Sequence, residues 1–475
     1  MANFSQLITI MNAIKYLSFF VMILIHCVLS AQDSAIKTSR TKFIRDIYTE
    51  ALTKGHAFED LRFLCKEIGA RITGSTEAQM AIEWGQKKMT SYGLETRLHE
   101  IQVPHWERGT KEVFYIKTSG GVHTKLRGLA LGGSVGTNGT LRGNLIEFES
   151  LDALKAASPA LVKGKIVFVN QAMDAKQIQT FKAYGGCYPL RGNSASIASE
   201  KGAIASVIRS LGLASDPHPH TGSMYYANGV DKIPAAAICT ADANKIHELF
   251  DSNPEQEIEL VMEMDCRSYP DTKSYNVIGE IKGGEYSDEI ITVGGHLDSW
   301  DTGEGAHDDG AGIIHCLEAF RILKKMNYQP QHTLRLVFFM NEENGNKGGK
   351  TYAKWVKENQ EKHFAAIESD RGGFAPRGFT CDGSEEQVEW LKSLSPIFKE
   401  YDLHIFEKGY GGVDIGPLKE SYPGIPLFGF VPDSQRYFDM HHSPNDVFEN
   451  VNKRELELGA AAIASFIYVL DHKSP

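Results

Sequence analysis

The chain has 475 residues, of which 42% are hydrophobic and 23% are charged, and its 60 acidic and 50 basic residues give a formal net charge of -10. This length exceeds what one hydrophobic core sustains, so we expect two or three domains, and the ordinary composition excludes a fibrous or wholly disordered protein. The acidic balance, without basic runs, argues against nucleic acid as a partner.

The N-terminal segment differs in character from the rest of the chain. Lys15 precedes a nearly continuous apolar run from Tyr16 to Ala31, which is followed by the polar residues Gln32-Asp33-Ser34. This layout predicts a secretory signal peptide over residues 1–31, and therefore a secreted or periplasmic protein without stable membrane association once the signal is cleaved. An uncleaved membrane anchor is the alternative, although the run is shorter than the roughly 20 residues that span a bilayer.

Six cysteines follow the predicted signal, and they are scattered without a CxxC pair. An even number in an exported chain permits disulfides, but the spacing requires none. We therefore expect isolated buried thiols at Cys65, Cys187, Cys239, Cys266, Cys316 and Cys381.

The elements after the signal change type along the chain. From about Ile36 to Tyr92, apolar residues recur at helical spacing and predict helices. Between roughly Lys111 and Asp265, short β-like runs such as 164–169 and 203–208 alternate with glycine-rich turns. This stretch predicts a small β-rich insert.

From Ser274 onward, strands alternate with helices. The segments 290–293, 333–340 and 364–369 are predicted strands, and 310–326 and 453–470 are predicted helices. Such alternation predicts an α/β fold with a mostly parallel mixed sheet flanked by helices.

Potential metal ligands follow each of these predicted strands. The first leads into Gly294-Gly295-His296-Leu297-Asp298 and then His307-Asp308-Asp309, the second into Asn341-Glu342-Glu343, and the third into Glu368-Ser369-Asp370. Each motif alone is commonly a surface pair or a turn, but parallel strands deliver the residues that follow them to one rim of the sheet. Carboxylates crowded there repel one another unless cations neutralise them, and imidazole with carboxylate ligands suits zinc.

These motifs, together with His441-His442 and the following Asp446, resemble those of the co-catalytic zinc exopeptidases, specifically the carboxypeptidase Q (plasma glutamate carboxypeptidase) group. The resemblance extends over most of the chain. It implies the zinc exopeptidase fold with an inserted protease-associated domain. The implied domains are a signal peptide at 1–31, an N-terminal part of the peptidase domain at 32–110, the protease-associated domain at 111–268, and the main part of the peptidase domain at 269–475.

The resemblance also implies two Zn²⁺ ions per chain and assigns their ligands. Asp308 becomes the carboxylate that bridges both metals. His296 and Asp370 complete one zinc site, and Glu343 and His442 complete the other. The substrates implied are short peptides, and a homodimer is expected by analogy with the family.

The resemblance makes Glu342 the general base, which removes a proton from the attacking water and later donates it to the leaving amine. Asp298 is the expected partner that orients the imidazole of His296. A cis peptide between Asp308 and Asp309 is also expected from the family.

Other residues near these motifs receive weaker assignments. His441 is expected either to be structural or to support the neighbouring ligand His442, and His307 and His315 are not expected to be ligands. Tyr410 and Asp414 lie in a glycine-rich loop that is a candidate wall of the substrate pocket, with Asp414 orienting a substrate amine; a simple turn is the alternative. Asn341, Pro444 and Val447 depart from the family's pattern without removing a ligand.

The leading hypothesis is therefore a secreted zinc metallopeptidase that hydrolyses short unblocked peptides or dipeptides, with preference for either terminus left open. One alternative is a catalytically silent, receptor-like binding protein on the same fold. Another is a single-zinc acyltransferase of the glutaminyl cyclase type. Metal content separates these three classes.

Overall fold

The computed structural model describes residues 38–121 and 123–473, so the predicted signal peptide lies outside the described residues. The described chain begins with the helices α1 (38–54), α2 (Ala57–Phe63) and α3 (Thr76–Ser91), followed by the long strand β1 (Glu95–Glu107). The Ser75 hydroxyl accepts the amide of Ala78, as expected of an N-cap residue, and so fixes the start of α3. Among the described helices, none is long and apolar enough to cross a membrane.

The middle of the chain forms a sheet of its own. Its elements are β2 (Glu112–Thr118), β3 (His123–Lys125), β4 (Gly128–Ala130), β5 (Leu141–Phe148), α4 (Leu151–Ala156), α5 (Pro159–Val162), β6 (Ile166–Val169), α6 (Thr180–Glu200), β7 (Ala205–Arg209), β8 (Ala235–Ile238), α7 (Thr240–Ser252) and β9 (Ile258–Met264). The strand order is β3-β2-β9-β5-β6-β7-β8-β4. We call the segment from Glu112 to Met264 the insert, because its two flanking strands belong to the other sheet.

The rest of the chain alternates strands and helices. Its elements are β10 (Arg267–Ile281), β11 (Tyr286–His296), α8 (Ala311–Lys325), β12 (His332–Phe339), α9 (Lys347–Glu358), β13 (Lys362–Glu368), β14 (Pro376–Asp382), α10 (Glu385–Ser393), α11 (Ser395–Phe398), β15 (Ile405–Lys408), α12 (Leu418–Ser421), β16 (Leu427–Pro432) and α13 (Lys453–Asp471). Together with β1, its strands form the core sheet in the order β1-β10-β12-β11-β13-β16-β14-β15.

The core sheet is mixed, which confirms the predicted fold class. Strand β11 pairs in parallel with β12 and β13, and β13 pairs in parallel with β16. Strands β1, β10 and β12 pair antiparallel. The predicted strands at 290–293, 333–340 and 364–369 are β11, β12 and β13, so their carboxyl ends share one edge of the sheet.

Successive side chains of a strand point to opposite faces of the core sheet, and both faces are buried. In β12, Leu336 and Phe338 pack in one cluster with residues of α1, α3, α8 and α13, whereas Val337 and Phe339 pack in another with α9 and α12. The Phe466 ring of α13 stacks on Phe379 of β14 with 4.0 Å between centroids. Burial of aliphatic and aromatic side chains on both faces is what near-continuous apolar strands require.

The structure tests two further predictions, one about the cysteines and one about the secondary structure of the insert. All six cysteines in the described residues are buried and free, which confirms the prediction of isolated thiols. The insert, predicted as short β-runs, also contains the 21-residue helix α6. The prediction missed α6 because glycines at 185 and 186 and Pro189 interrupt any helical hydrophobic pattern.

Candidate metal centre

The core sheet brings together side chains that are far apart in the chain. His296 ends β11, Glu342 and Glu343 follow β12, and Asp370 follows β13. Asp308 lies in the turn that precedes α8, and His442 lies in the loop after β16. These are the residues for which the sequence predicted metal-binding or catalytic roles, and they meet at the carboxyl edge of the parallel strands.

Asp308 lies at the centre of two pairs of candidate ligands. Its Oδ1 is 3.2 Å from Nε2 of His296, and its Oδ2 is 3.2 Å from Nε2 of His442. Nε2 of His296 is also 3.6 Å from Oδ1 of Asp370, and Nε2 of His442 is 3.0 Å from Oε2 of Glu343. Each oxygen of Asp308 therefore faces a different histidine–carboxylate pair.

The donor set fits metal ions. Potential ligand atoms of His296, Asp308 and Glu343 lie within 4.8 Å of one another. Glu343 Oε1 is buried without a hydrogen-bond partner among the described residues. A buried carboxylate oxygen left unpaired is costly, and a cation relieves that cost. Imidazole nitrogens with carboxylate oxygens, and no thiolate nearby, are the ligands of catalytic rather than structural zinc sites.

Burial and crowding shift the ionisation of this cluster. Burial raises the pKa of Glu343 to about 7, against the attraction of His442. Burial disfavours the charged form of His442, but Glu343 and Asp308 overcome it and raise its pKa to about 9. The carboxylates and imidazoles thus depend on one another for charge compensation, as expected where positive charge is required.

Asp298 supports the loop that carries Glu342. Its Oδ1 accepts the amides of Asn341 at 2.7 Å and Glu342 at 3.1 Å. The nearest partner of His296 Nδ1 is the main-chain carbonyl of Asp298 at 2.9 Å, whereas the Asp298 carboxylate is 3.8 Å from that nitrogen. Residue 298 therefore orients the imidazole chiefly through its backbone, and its carboxylate holds the main chain of the neighbouring loop.

Asp309 and Asp446 hold the main chain around the shared carboxylate. The peptide between Asp308 and Asp309 is cis, which confirms the expectation. Asp309 accepts the amides of His296 and Gly312, each at 3.1 Å. Asp446 accepts the amide of His307 at 2.7 Å and that of Asp308 at 3.1 Å.

Arg71 is a supporting residue that the sequence did not reveal. It is fully buried, and it donates hydrogen bonds to the carbonyls of Leu297 at 2.6 Å, Glu304 at 2.8 Å and Gly305 at 2.9 Å. It thereby ties together the loop between His296 and Asp308. The residues next to Arg71 in the sequence form no motif, and its partners are main-chain atoms. No sequence pattern therefore indicates that Arg71 supports this loop.

Glu342 is partly exposed, whereas its neighbours Asn341 and Glu343 are buried. Burial raises its pKa well above the usual value of a glutamate; His296 opposes this shift, while Asp370 and Glu343 add to it through repulsion. A raised carboxyl pKa beside a polar cluster is characteristic of groups that transfer protons near neutral pH.

The remaining histidines differ in their surroundings. His441 stacks on His442 with 3.5 Å between ring centroids, its Nε2 lies 3.6 Å from Asp308 Oδ2, and it forms a candidate metal group with these two residues. His307 accepts the amide of Gly373 at 3.1 Å. His315 lies 3.2 Å from the hydroxyl of Ser369, and neither His307 nor His315 belongs to a candidate metal group in the described chain.

The glycine-rich loop near the site contains one exposed and one buried candidate. The Tyr410 side chain is 57% exposed, whereas Asp414 is fully buried. Glu368 accepts the amides of Val413, Asp414 and Ile415 at 2.7 to 2.9 Å and so fixes this loop. Tyr410 can therefore reach solvent above the loop, but the Asp414 carboxylate cannot.

Comparisons with known proteins agree with the fold. Peptidase family M28 matches residues 276–467. Carboxypeptidase Q of Bos taurus is 32% identical over 431 residues, covering 90% of this chain and 88% of that protein. The crystal structure of a peptidase M28 precursor from Shewanella amazonensis is 31% identical with a TM-score of 0.87, covering 92% of this chain and 98% of that one. BSAP, a zinc aminopeptidase from Bacillus subtilis, shares the fold at 20% identity with a TM-score of 0.63, covering 87% and 94%.

This combination of fold, site and relatives is that of a metallopeptidase. The chain belongs to peptidase family M28, and its similarity to carboxypeptidase Q extends over nine-tenths of its length.

Proposed function

We propose that this chain is an exported di-zinc exopeptidase that hydrolyses short unblocked peptides or dipeptides. The observation that carries the proposal is the position of Asp308, whose two carboxylate oxygens face separate histidine–carboxylate pairs at 3.2 Å. A single buried carboxylate shared in this way suits two neighbouring cations. It has no comparable use in a site for one metal.

The family resemblance gives the proposed ligands, and these contacts support them. His296 and Asp370 would hold one zinc ion, and Glu343 and His442 the other, with Asp308 between them. Zinc at this position would polarise the scissile carbonyl and make water a stronger nucleophile near neutral pH.

Glu342 is the proposed general base. Its carboxylate takes a proton from the attacking water and returns it to the nitrogen of the departing amine. Burial raises the pKa of Glu342 above the usual value of a glutamate. Asp298 keeps Glu342 in place by accepting its amide at 3.1 Å.

The names of two relatives also support the proposal of an exopeptidase. One is named a carboxypeptidase and another, more distant, is named an aminopeptidase. Both act at a chain terminus, so we propose short peptides with free ends as the substrates. Blocking either end of a dipeptide then identifies the terminus that the site requires.

We also propose the domain organisation and export expected from the sequence. Residues 1–31 would be removed as a signal peptide, and 111–268 would form a protease-associated domain between the two parts of the peptidase domain. N-terminal sequencing of the protein recovered outside the cytoplasm tests the cleavage. A mature chain that starts before residue 20 would contradict it.

The test of function combines zinc content with hydrolysis of a dipeptide panel. We expect two zinc ions per chain, and turnover of unblocked dipeptides that falls when the recognised terminus is acetylated or amidated. Purified protein without bound zinc would favour the silent binding protein. A single ion with cyclisation of N-terminal glutamine would favour the glutaminyl cyclase class.

A further inference from the structure

A short segment of the insert hydrogen bonds to the main chain of three residues at the candidate metal centre. The segment is His220-Thr221-Gly222-Ser223, which lies between β7 and β8. Nδ1 of His220 donates to the carbonyl of His441 at 2.7 Å, and the amide of Thr221 donates to the carbonyl of His442 at 2.9 Å. The hydroxyl of Ser223 donates to the carbonyl of Glu343 at 2.7 Å.

The segment also contacts the ring of His442. Nε2 of that ring faces Asp308 and Glu343, which leaves Nδ1 on the opposite side. Nδ1 lies 3.3 Å from the carbonyl of Thr221 and 3.2 Å from Nη1 of Arg191. The main chain of Thr221 therefore contacts both the backbone and the ring of His442.

His442 has a backbone conformation that depends on such support. Its φ is +60°, in the left-handed region that residues other than glycine rarely adopt. The conformation persists only where the surroundings hold it. The amide of Thr221 binds the carbonyl of His442 itself, and the side chain of His220 binds the carbonyl of the preceding residue, His441. Both peptide groups that flank the α-carbon of His442 are therefore held.

The segment is itself fixed within the insert. The hydroxyl of Thr221 donates to the carbonyl of Ala130 at 2.8 Å, and the carbonyl of Gly222 accepts the amide of Gly132 at 2.9 Å. The buried guanidinium of Arg191 donates to the carbonyl of Ser223 at 3.3 Å. A Cβ at Gly222 would lie 2.4 Å from Cζ of Arg191, so only glycine admits this close approach.

We propose that residues 220–223 of the insert position Glu343 and His442, so that the insert is needed to complete one of the two zinc sites. This inference rests on the proposed function, because it takes those two residues to be zinc ligands. It makes His220, Thr221 and Ser223 positioning residues, because they contact the main chain of His441 and Glu343 and both the main chain and the ring of His442. The insert then determines metal retention as well as any contacts with substrate.

The test compares Ser223→Ala with Ser196→Ala. Both serines lie in the insert, both side chains are 7% exposed, and both hydroxyls donate to a main-chain carbonyl, but the acceptor of Ser196 is Tyr225 within the insert, at 3.0 Å. Zinc is measured per chain by competition with a graded chelator, and thermal unfolding is followed in parallel. We expect Ser223→Ala to lower the affinity for one of the two ions by about tenfold or more, as lost partners of metal ligands typically do. Ser196→Ala should retain both ions.

A second pair of variants distinguishes the loss of one hydrogen bond from a general folding defect. His220→Asn keeps an N–H that can donate to the carbonyl of His441, whereas His220→Ala does not. We expect Asn to retain the second zinc ion more tightly than Ala does. A wild-type chain that binds fewer than two zinc ions would overturn the proposed function and this inference with it. A wild-type chain with two ions, and a Ser223→Ala chain that holds them equally tightly, would overturn this inference alone.

Discussion

Asp446 accepts the main-chain amide of Asp308 at 3.1 Å, although the two residues are 138 positions apart in the chain. The same carboxylate accepts the amide of His307 at 2.7 Å. The loop after β16 therefore provides both a candidate ligand, His442, and the group that holds the turn bearing the shared carboxylate. The position of Asp308 is thus coupled to the loop that follows β16.

Replacing Asp446 by leucine should release the turn at Asp308. Two buried amides would lose their acceptor, at a cost of about 1 to 3 kcal/mol each. We expect zinc content and turnover to fall together, measured by metal analysis and dipeptide hydrolysis. Asp471→Leu is the matched control, because Asp471 is also fully buried and accepts the amides of Gln331 and His332, each at 2.8 Å. That variant should lose stability but retain zinc; equal zinc loss in both would refute a local role for Asp446.

Arg71→Met should destabilise the loop between His296 and Asp308. Four main-chain carbonyls, including that of Gly69, would lose a charged donor in a buried setting, so we expect the free energy of unfolding to fall by about 3 kcal/mol or more. Denaturant unfolding followed by tryptophan fluorescence measures the change. Arg142→Met, at an exposed position of β5, should change stability by less than about 0.5 kcal/mol. Similar values for the two variants would show that Arg71 does not support the loop.

Gly295→Ala should disturb the candidate site directly. A Cβ there would lie 2.2 Å from Oδ2 of Asp309, the atom that accepts the amide of His296. We expect weaker zinc retention and slower turnover, because Asp309 must move. At Gly185 in α6, nothing lies within 4 Å of an added Cβ, so Gly185→Ala should retain full activity and gain up to about 1 kcal/mol of stability. Unchanged zinc retention in Gly295→Ala would contradict the packing described here.

The ion pair between Arg335 and Glu361 predicts a specific pH dependence of stability. Burial disfavours the charged form of Glu361, but hydrogen bonding with His363 and Arg335 overcomes this and lowers its pKa from 4.5 to about 2. The folded state therefore holds the proton less tightly than the unfolded state. This stabilisation is complete above pH 4.5 and is lost as pH falls toward 2.

Glu361→Gln should remove that dependence. We expect the stability difference between wild type and this variant to shrink by about 2 kcal/mol between pH 6 and pH 3, measured by urea unfolding. Glu389→Gln removes an exposed partner of Lys392 and should change the free energy of unfolding at pH 6 by less than about 1 kcal/mol. A pH-independent difference for Glu361→Gln would contradict the shifted pKa.

The sequence predicted the candidate ligands that come directly after a regular strand. Apolar runs predicted β11, β12 and β13, and parallel strands bring the residues after them to one edge, so His296, Glu343 and Asp370 could be expected to meet. The roles of Asp308 as the shared ligand and of His442 came from the family resemblance. Periodicity alone does not determine where a turn or a late loop folds back.

Other features depend on tertiary contacts that leave no sequence pattern. Arg71 binds carbonyl groups, which every residue possesses. The stretch 220–223 is a polar loop after a strand of the insert, and only the folded arrangement shows it against His442. Helix α6 was hidden by glycine and proline, and its formation reflects packing against β6 and β7 rather than local propensity.

The most direct test of the account is the rate of dipeptide hydrolysis by Glu342→Gln in protein that carries two zinc ions. Glutamine retains the size of the side chain, and its main-chain N–H still donates to Asp298, but its side chain cannot accept the proton from water. We predict that both ions are retained, that KM changes little, and that kcat falls by about a hundredfold or more. A kcat within a few-fold of wild type would contradict the assignment of Glu342 as the base.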